Sequence, residues 1–576
     1  MHGCGLTLAI LVLVASGSLS PFVQAKEPIQ AKHGMVVAQE ALAADAGRDI
    51  LESGGNAVDA AVAVGFALAV THPVAGNLGG GGFMLIRLAD GTTHFLDFRE
   101  CAPGGATRDM YIGADGNATK DSIYGWKSAG VPGSVAGFEL AHKKYGSKPW
   151  GQLLSPAVKL ASNGFAVTES FAASLEKSRD ALGGDAESKR IFLRDGALYK
   201  AGQNLKQPQL AATLERIAQN GAKDFYTGDT ARQLAAAMAA HGGLVTLDDL
   251  KNYKVVERTP LEGNYKTFHI ITAPPPSAGG VGLLQMMGLL EGTNYGSDGA
   301  DSPKAVHYEA EAMRRFHADR SEYLGDPDFY NVPVRELLDP KYIAWRRGTI
   351  DPDRATPSDL IGPGLPKNLR AGVSWSESSE TTHYNVVDGK GNAVAVTYTL
   401  NNSWGNGITV PGLGFLLNDE MDDFAAKPGT PNMFGLLGSD ANAIEPGKRP
   451  LSSMTPTIVT QNNKLFLVTG APGGSRITTG VMEVILDVLD FHMNPQDAVD
   501  LPRFHEQWKP DVLYLQSGFS AESVRALEKM GYEIKPIEGV ARVEAIVVNN
   551  GVKNGVTNGT LEGGTESRYH GKVAGY

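Results

Sequence analysis

Cysteine is nearly absent. Only Cys4 and Cys101 occur among 576 residues, so the fold stands on its core and not on a disulfide framework. A lone Cys101 reads as structural rather than as a nucleophile. Basic clusters are also missing: 52 Lys and Arg face 63 Asp and Glu, for a net charge of -11, and no Lys/Arg stripe occurs, which excludes a nucleic-acid partner. Long hydrophobic runs are scarce. Leu6 to Ser16 is the one apolar stretch of note, and it is short for a membrane span. It is followed by small residues at Val23 and Ala25, the pattern of a secretory signal cut after Ala25. The n-region has no Lys or Arg, only His2, and an uncleaved anchor is the competing reading. The rest is expected to carry no stable membrane insertion.

Several catalytic signatures fail. Gly79 to Gly82 precedes a strand, whereas a phosphate loop needs strand, glycines, then helix. Gly470 to Ser475 has that order but the wrong spacing, with Arg476 where a phosphate-loop lysine is sought. No G-x-S-x-G elbow and no H-E-x-x-H occurs. His307 and Glu311 share a helix face four residues apart, but two residues do not make a metal site, and a solvated face is the expected reading. No metal and no cofactor is expected.

What is present is an alternation of helices and strands. Glu40 to Ser53 is Ala-rich and stops at Gly54-Gly55, and Asn56 is placed to cap a second apolar helix to about Thr71. Phe83–Leu88 and Thr93–Arg99 read as strands around the turn at Ala89-Asp90-Gly91. Ser302-Pro303 opens a further helix. Asp351 to Glu380 is rich in Pro, Gly and Ser and reads as an exposed connector. The most β-like region follows: His383–Val387, a turn at Asp388–Asn392, and Ala393–Thr399. Lys464–Thr469 is a strand running through Gly470–Ser475 into a helix from Ile477 to about Phe491. Hairpins together with helices predict an α+β layered sheet.

One position carries chemistry. A hydroxyl is a poor nucleophile without an adjacent base, but a threonine at a chain N-terminus has its own α-amine. Thr381 stands where the connector meets the β-rich region, so a cut at Glu380–Thr381 would free such an amine at the start of a strand. On composition alone a Thr-rich strand start is the favoured reading.

Ordered motifs add to this. Thr381-Thr-His-Tyr-Asn-Val-Val387, Gly391-Asn-Ala-Val-Ala-Val-Thr-Tyr-Thr-Leu-Asn401, Leu417-Asn-Asp-Glu-Met-Asp-Asp-Phe424, Arg449-Pro-Leu-Ser-Ser453 and Gly470-Ala-Pro-Gly-Gly-Ser475 resemble the γ-glutamyltransferase family. Nearer the start, Gly54–Ala61, Gly76–Phe83 and Asp97-Phe-Arg-Glu100 resemble it too, so the likeness spans residues 33 to 576 in the family's order. It implies a four-layer αββα sandwich of the N-terminal nucleophile hydrolase type. It also implies self-cleavage at Glu380–Thr381 into a large subunit, 26–380, and a small one, 381–576, that stay together as a heterodimer after removal of signal 1–25.

The implied activity is hydrolysis or transfer of the γ-glutamyl group of glutathione and related compounds through a Thr381 acyl-enzyme, with water, amino acids or dipeptides as acceptors, in a bacterial periplasm. Carried over by motif, Thr399 supports the nucleophile, and Gly473 and Gly474 form an oxyanion hole. Arg99, Ser452 and Ser453 take the substrate α-carboxylate, and Asn401, Glu420 and Asp423 take its α-ammonium. Many bacterial relatives have Gln where this chain has Glu420. Lys427 to Arg449 resembles a substrate lid, with Phe434 where lid-bearing relatives often have Tyr, so a latching hydroxyl is missing. A glutaryl (cephalosporin-type) acylase on the same fold and a catalytically silent binding protein are the alternatives.

Overall fold

The β-hairpin expected after residue 381 is the centre of the molecule. Thr382–Asp388 pairs antiparallel with Ala393–Thr399, and Thr382 stands opposite Tyr398. In this computed structural model, which describes residues 27–365, 381–549, 552–553, 556–557 and 559–576, the hairpin occupies the middle of a seven-stranded sheet. Its order is Lys572–Gly575, Gly34–Ala38, the two hairpin strands, Gly81–Arg87, Thr93–Phe98 and Val256–Arg258. A second seven-stranded sheet runs Ile29–Ala31, Thr560–Thr565, Glu544–Asn549, Lys464–Gly470, Thr457–Gln461, Phe268–Thr272 and Leu261–Tyr265. All neighbours in both sheets are antiparallel.

Strand periodicity of two separates the faces. Val394, Val396 and Tyr398 join Met84 and Ile86 in one core, against the helices Ala41–Glu52 and Ala57–Thr71. Ala393 and Ala395 join Phe83 and Leu85 in another, with residues of the second sheet and of the helices Gly279–Leu290, Pro303–Tyr323 and Ile477–Leu489 beyond it. The two sheets touch directly: Asn385 Nδ2 donates to the Glu544 carbonyl at 2.9 Å. Helices, sheet, sheet, helices is the αββα sandwich.

Local signals act as read. Asn56 accepts from Asp59 N while Asp59 returns a bond to Asn56 N, a reciprocal cap on a helix that is buried on every side. Ser302 caps the Pro303 helix through Ala305 N at 3.1 Å. The glycine run has a packing role: a side chain at Gly82 would lie 2.3 Å from the Thr397 carbonyl, and one at Gly80 2.0 Å from that of Thr399. These glycines let the Gly81–Arg87 strand close on the hairpin strand beside Thr399. That strand starts two residues earlier than expected and the Ile477 helix ends at Leu489.

One expectation is corrected. His307 and Glu311 are not on a solvated face; both are fully buried. Chain distant in sequence covers them: His307 bonds Tyr532 Oη and the Asp351 carbonyl at 2.9 and 2.7 Å, and Glu311 holds Arg315 and Thr356. Of the connector, residues 351–365 are described, and their Ser358 and Ile361 carbonyls accept from Trp508 Nε1. The expected signal 1–25 and Glu380 lie outside the described residues, and among those described no helix is long and apolar enough to cross a membrane.

Candidate active site

Strand register builds the centre of the site. With Thr382 opposite Tyr398, Thr381 falls opposite Thr399, and both side chains share the face turned toward the second sheet. Thr381 Oγ1 donates to Thr399 Oγ1 at 3.3 Å, and Thr399 Oγ1 accepts the Asn401 N–H at 2.9 Å. Asn401 adopts a left-handed backbone, φ 80°, uncommon outside glycine and tolerated best by Asn and Asp. That turn brings its carboxamide back over the pocket, where Nδ2 donates to the Asp419 carbonyl at 3.0 Å.

The second sheet supplies the opposite wall. The Lys464–Gly470 strand runs into Pro472-Gly473-Gly474, and a 3-10 turn at Gly474–Arg476 leads into the Ile477–Leu489 helix. Gly473 and Gly474 have φ of 145° and 56°, a path that side chains resist. The segment lies at a helix N-terminus, where backbone N–H groups and the helix dipole favour negative charge.

Thr381, Thr399, Asn401, Glu420, Asp423, Arg99, Ser452, Ser453, Gly474 and Phe434 line one pocket, so the structure brings together these residues named from sequence. Gly473 lines the adjoining cavity. The free space in the pocket is about 20 Å³, room for one water.

Its floor is a buried charge network. Arg99, 1% exposed, donates from Nη1 to Glu420 and from Nη2 to Asp423 Oδ2 at 2.5 Å, with Glu100 at 3.6 Å. Burial opposes the Arg99 charge, but Glu420, Asp423 and Glu100 reverse this and raise its pKa. Burial pushes Glu420 and Asp423 above the ordinary carboxylate range against the pull of Arg99, and pushes Glu100 up to about 7. One guanidinium thus faces three carboxylates. The cation and anions expected to receive opposite ends of a substrate are joined to each other.

The segment expected to form a lid packs against the pocket. Phe434 is 4% exposed, and its missing hydroxyl is replaced by other contacts. Its carbonyl accepts from Gln507 Nε2 at 3.4 Å, Met433 N donates to Asp422 at 3.0 Å, and Asn432 Nδ2 donates to Asp423 Oδ1 at 3.1 Å. Sequence reasoning missed Arg320, a second guanidinium lining the pocket. It is 5% exposed, its Nη1 donates to the lid carbonyl of Leu437 at 3.5 Å, and burial lowers its pKa to about 10 against the pull of Asp423. It lies in a long helix of mostly buried residues, with nothing local to mark it. Burial pushes the Cys101 thiol up to about 12, which excludes a thiolate at neutral pH.

Fold and pocket together define an N-terminal nucleophile hydrolase. The profile of the family described as Gamma-glutamyltranspeptidase matches residues 43–576, and the chain belongs to that family. The glutathione hydrolase proenzyme of Escherichia coli (strain K12) is 48% identical over 523 residues, 90% of this chain and 89% of the relative. The acylase ACY 1 proenzyme of Pseudomonas sp. (strain SE83) is 36% identical over 523 residues, 90% of each. Among solved structures, cephalosporin acylase from Bacillus halodurans superposes with a TM-score of 0.82 at 28% identity over 98% of this chain and 99% of its own. Helicobacter pylori γ-glutamyltranspeptidase gives 0.58 at 45% identity over 58% of this chain and 97% of that one.

Proposed function

We propose that this chain is a secreted proenzyme that cuts its own Glu380–Thr381 bond and then hydrolyses or transfers γ-glutamyl groups, glutathione among its donors, through an ester on Thr381. The observation that carries this is the Thr381–Thr399 hydroxyl pair in a buried pocket whose floor offers one guanidinium and several carboxylates. In maturation the Thr381 hydroxyl adds to the Glu380 carbonyl and the C–N bond breaks. Water then hydrolyses the ester, leaving a Glu380 carboxylate and a free Thr381 amine. Both sheets contain strands from each side of the cut, so the pieces 26–380 and 381–576 are held as a heterodimer. The leader ending at Ala25 directs the chain to the bacterial periplasm.

In turnover the Thr381 amine takes the hydroxyl proton as Oγ1 attacks the γ-carbonyl carbon. The N–H groups of Gly473 and Gly474 meet the oxyanion, a stabilisation present only in the transition state. The amide C–N bond breaks as the Thr381 ammonium returns its proton to the leaving amine. Water or another amine attacks the ester by the reverse path. The donor's α-carboxylate displaces the acids from Arg99 and reaches Ser452 and Ser453, and its α-ammonium takes the place of the guanidinium beside Glu420 and Asp423, with Asn401 as a further acceptor.

The acylase relatives make a glutaryl donor the competing reading, and that donor differs from γ-glutamyl by one α-ammonium. Removing one partner of a buried ion pair costs about 3–5 kcal/mol, or roughly two to four decades in kcat/KM. Asp423→Asn should therefore lose that much on a γ-glutamyl anilide, far less on a glutaryl anilide, and still cleave itself. A native enzyme that prefers the glutaryl compound would establish the acylase reading instead.

A further inference from the structure

The glycine turn proposed to meet the oxyanion and the segment expected to form a lid are distant in sequence, yet one file of buried side chains joins them. Thr479 is the third residue of the Ile477–Leu489 helix. His505 ends the short strand Phe504–His505, and Gln507 follows two residues later. Thr479 and His505 have no exposed surface, and Gln507 is 5% exposed. Thr479 Oγ1 lies 2.9 Å from His505 Nδ1, His505 Nε2 lies 3.0 Å from Gln507 Oε1, and Gln507 Nε2 donates to the Phe434 carbonyl at 3.4 Å.

Chemistry fixes the direction of these bonds. Gln507 Nε2 faces two carbonyls, those of Phe434 and Lys509, and a carbonyl only accepts. The amide therefore turns its oxygen to His505, and that oxygen also only accepts, so His505 Nε2 carries the ring proton. Burial lowers the His505 pKa to about 3 against the pull of Gln507, which keeps the ring neutral and Nδ1 bare. Nδ1 then accepts from the Thr479 hydroxyl. The same hydroxyl donates to the Arg476 carbonyl at 3.1 Å, and Arg476 N donates to the Gly473 carbonyl at 3.0 Å. The file thus ends on the turn that carries Gly473 and Gly474. The helix Pro303–Tyr323 braces its middle: His317 packs edge-on against the His505 ring at 5.5 Å between centres, and Arg320, three residues on, holds the Leu437 carbonyl.

We infer that Gln507 and Thr479 are positioning residues which, through His505, tie the seating of segment 427–449 to the geometry of the oxyanion turn. With the segment seated, the Phe434 carbonyl holds Gln507, Gln507 holds the His505 tautomer, and Nδ1 holds the Thr479 hydroxyl beside the Arg476 carbonyl. When the segment leaves, Gln507 loses an acceptor and the file loses its fixed direction. The oxyanion N–H groups are then best aligned when the pocket is covered, where exclusion of water makes them most effective. The inference rests on the γ-glutamyl transfer reading.

Three variants of the mature enzyme test it with a γ-glutamyl anilide as donor, and none alters a residue lining the donor pocket. Thr479→Val removes the hydroxyl and keeps the β-branched shape, Gln507→Met removes the amide and keeps the length, and Thr479→Ser keeps the hydroxyl. Thr479→Val and Gln507→Met should each lower kcat per cleaved chain by about fivefold, the scale of one hydrogen bond, and Thr479→Ser should keep the native value. The double variant Thr479→Val with Gln507→Met should also lose about fivefold, because either change already breaks the file. Independent sites would multiply to about twenty-fivefold. The side-chain hydrogen bonds of Thr479 reach no residue of the segment, yet Thr479→Val should speed limited proteolysis within 427–449 by about threefold. A multiplied loss in the double variant, a Thr479→Ser enzyme as impaired as Thr479→Val, or unchanged proteolysis would overturn the coupling and leave γ-glutamyl turnover standing. A native enzyme that cannot turn over the γ-glutamyl anilide would overturn the transfer reading and the coupling with it.

Discussion

Thr399 is the residue whose role is most exposed to test. Its hydroxyl is the described partner of Thr381 Oγ1 and is itself fixed by the Asn401 N–H. Thr399→Val keeps the β-branched shape that a strand favours and removes only the hydroxyl. The variant should fold, and its kcat should drop by about ten- to hundredfold, the scale of a positioning hydrogen bond in a proton-transfer step. An unchanged kcat would make the pair structural. The carboxylates around Arg99 give a second test through pH. Burial raises Glu100, Glu420 and Asp423 together above the ordinary carboxylate range, so the cluster takes up protons as the pH falls toward and below neutrality. As pH falls from 8 to 6 the pocket loses negative charge, and a donor with an α-ammonium should bind less well. KM for a γ-glutamyl anilide should rise over that window while KM for a glutaryl anilide does not. Parallel profiles would place the titrating group outside the ammonium site.

The segment expected to form a lid is the element on which sequence and structure differ most usefully. Read from the chain, a phenylalanine at 434 leaves the segment without a latch. Folded, the segment is held through its backbone by Gln507 and Asp422, through Asn432 to Asp423, and through Leu437 to Arg320. Arg320→Met should free the Leu437 carbonyl and leave Asp423 with less positive charge nearby. KM for the γ-glutamyl donor should rise by about tenfold, and limited proteolysis within 427–448 should speed up. Unaltered cleavage there would deny Arg320 a part in closure. Local signals were legible because they are local: the two-residue period of the hairpin, the Asn56 and Ser302 caps, the glycine run. The covering of His307 and Glu311, the coupling of Arg99 to Glu420 and Asp423, and Arg320 itself depend on segments that meet only in the folded chain. Resemblance gave the positions of the pocket residues, but not that its cation and anions pair with each other.

At the scale of the whole molecule, the chain on the two sides of the proposed cut shares both sheets. Gly34–Ala38 and Gly81–Arg87, from before residue 381, flank the hairpin that follows it, and Ile29–Ala31 and Phe268–Thr272 share the second sheet with strands from the C-terminal part. Each piece alone would expose strand edges that the other now pairs, so the proposed cleavage would change the chemistry and leave both sheets paired. The account therefore stands on Thr381 being both the point of cleavage and the nucleophile. The most direct measurement is intact mass, under denaturing conditions, of the native protein and Thr381→Ala prepared free of protease. The native protein should give two chains, the smaller beginning at Thr381, and the variant one uncut chain without γ-glutamyl anilide turnover. A Thr381→Ala protein that splits at the same bond, or a native small chain that begins elsewhere, would contradict the account.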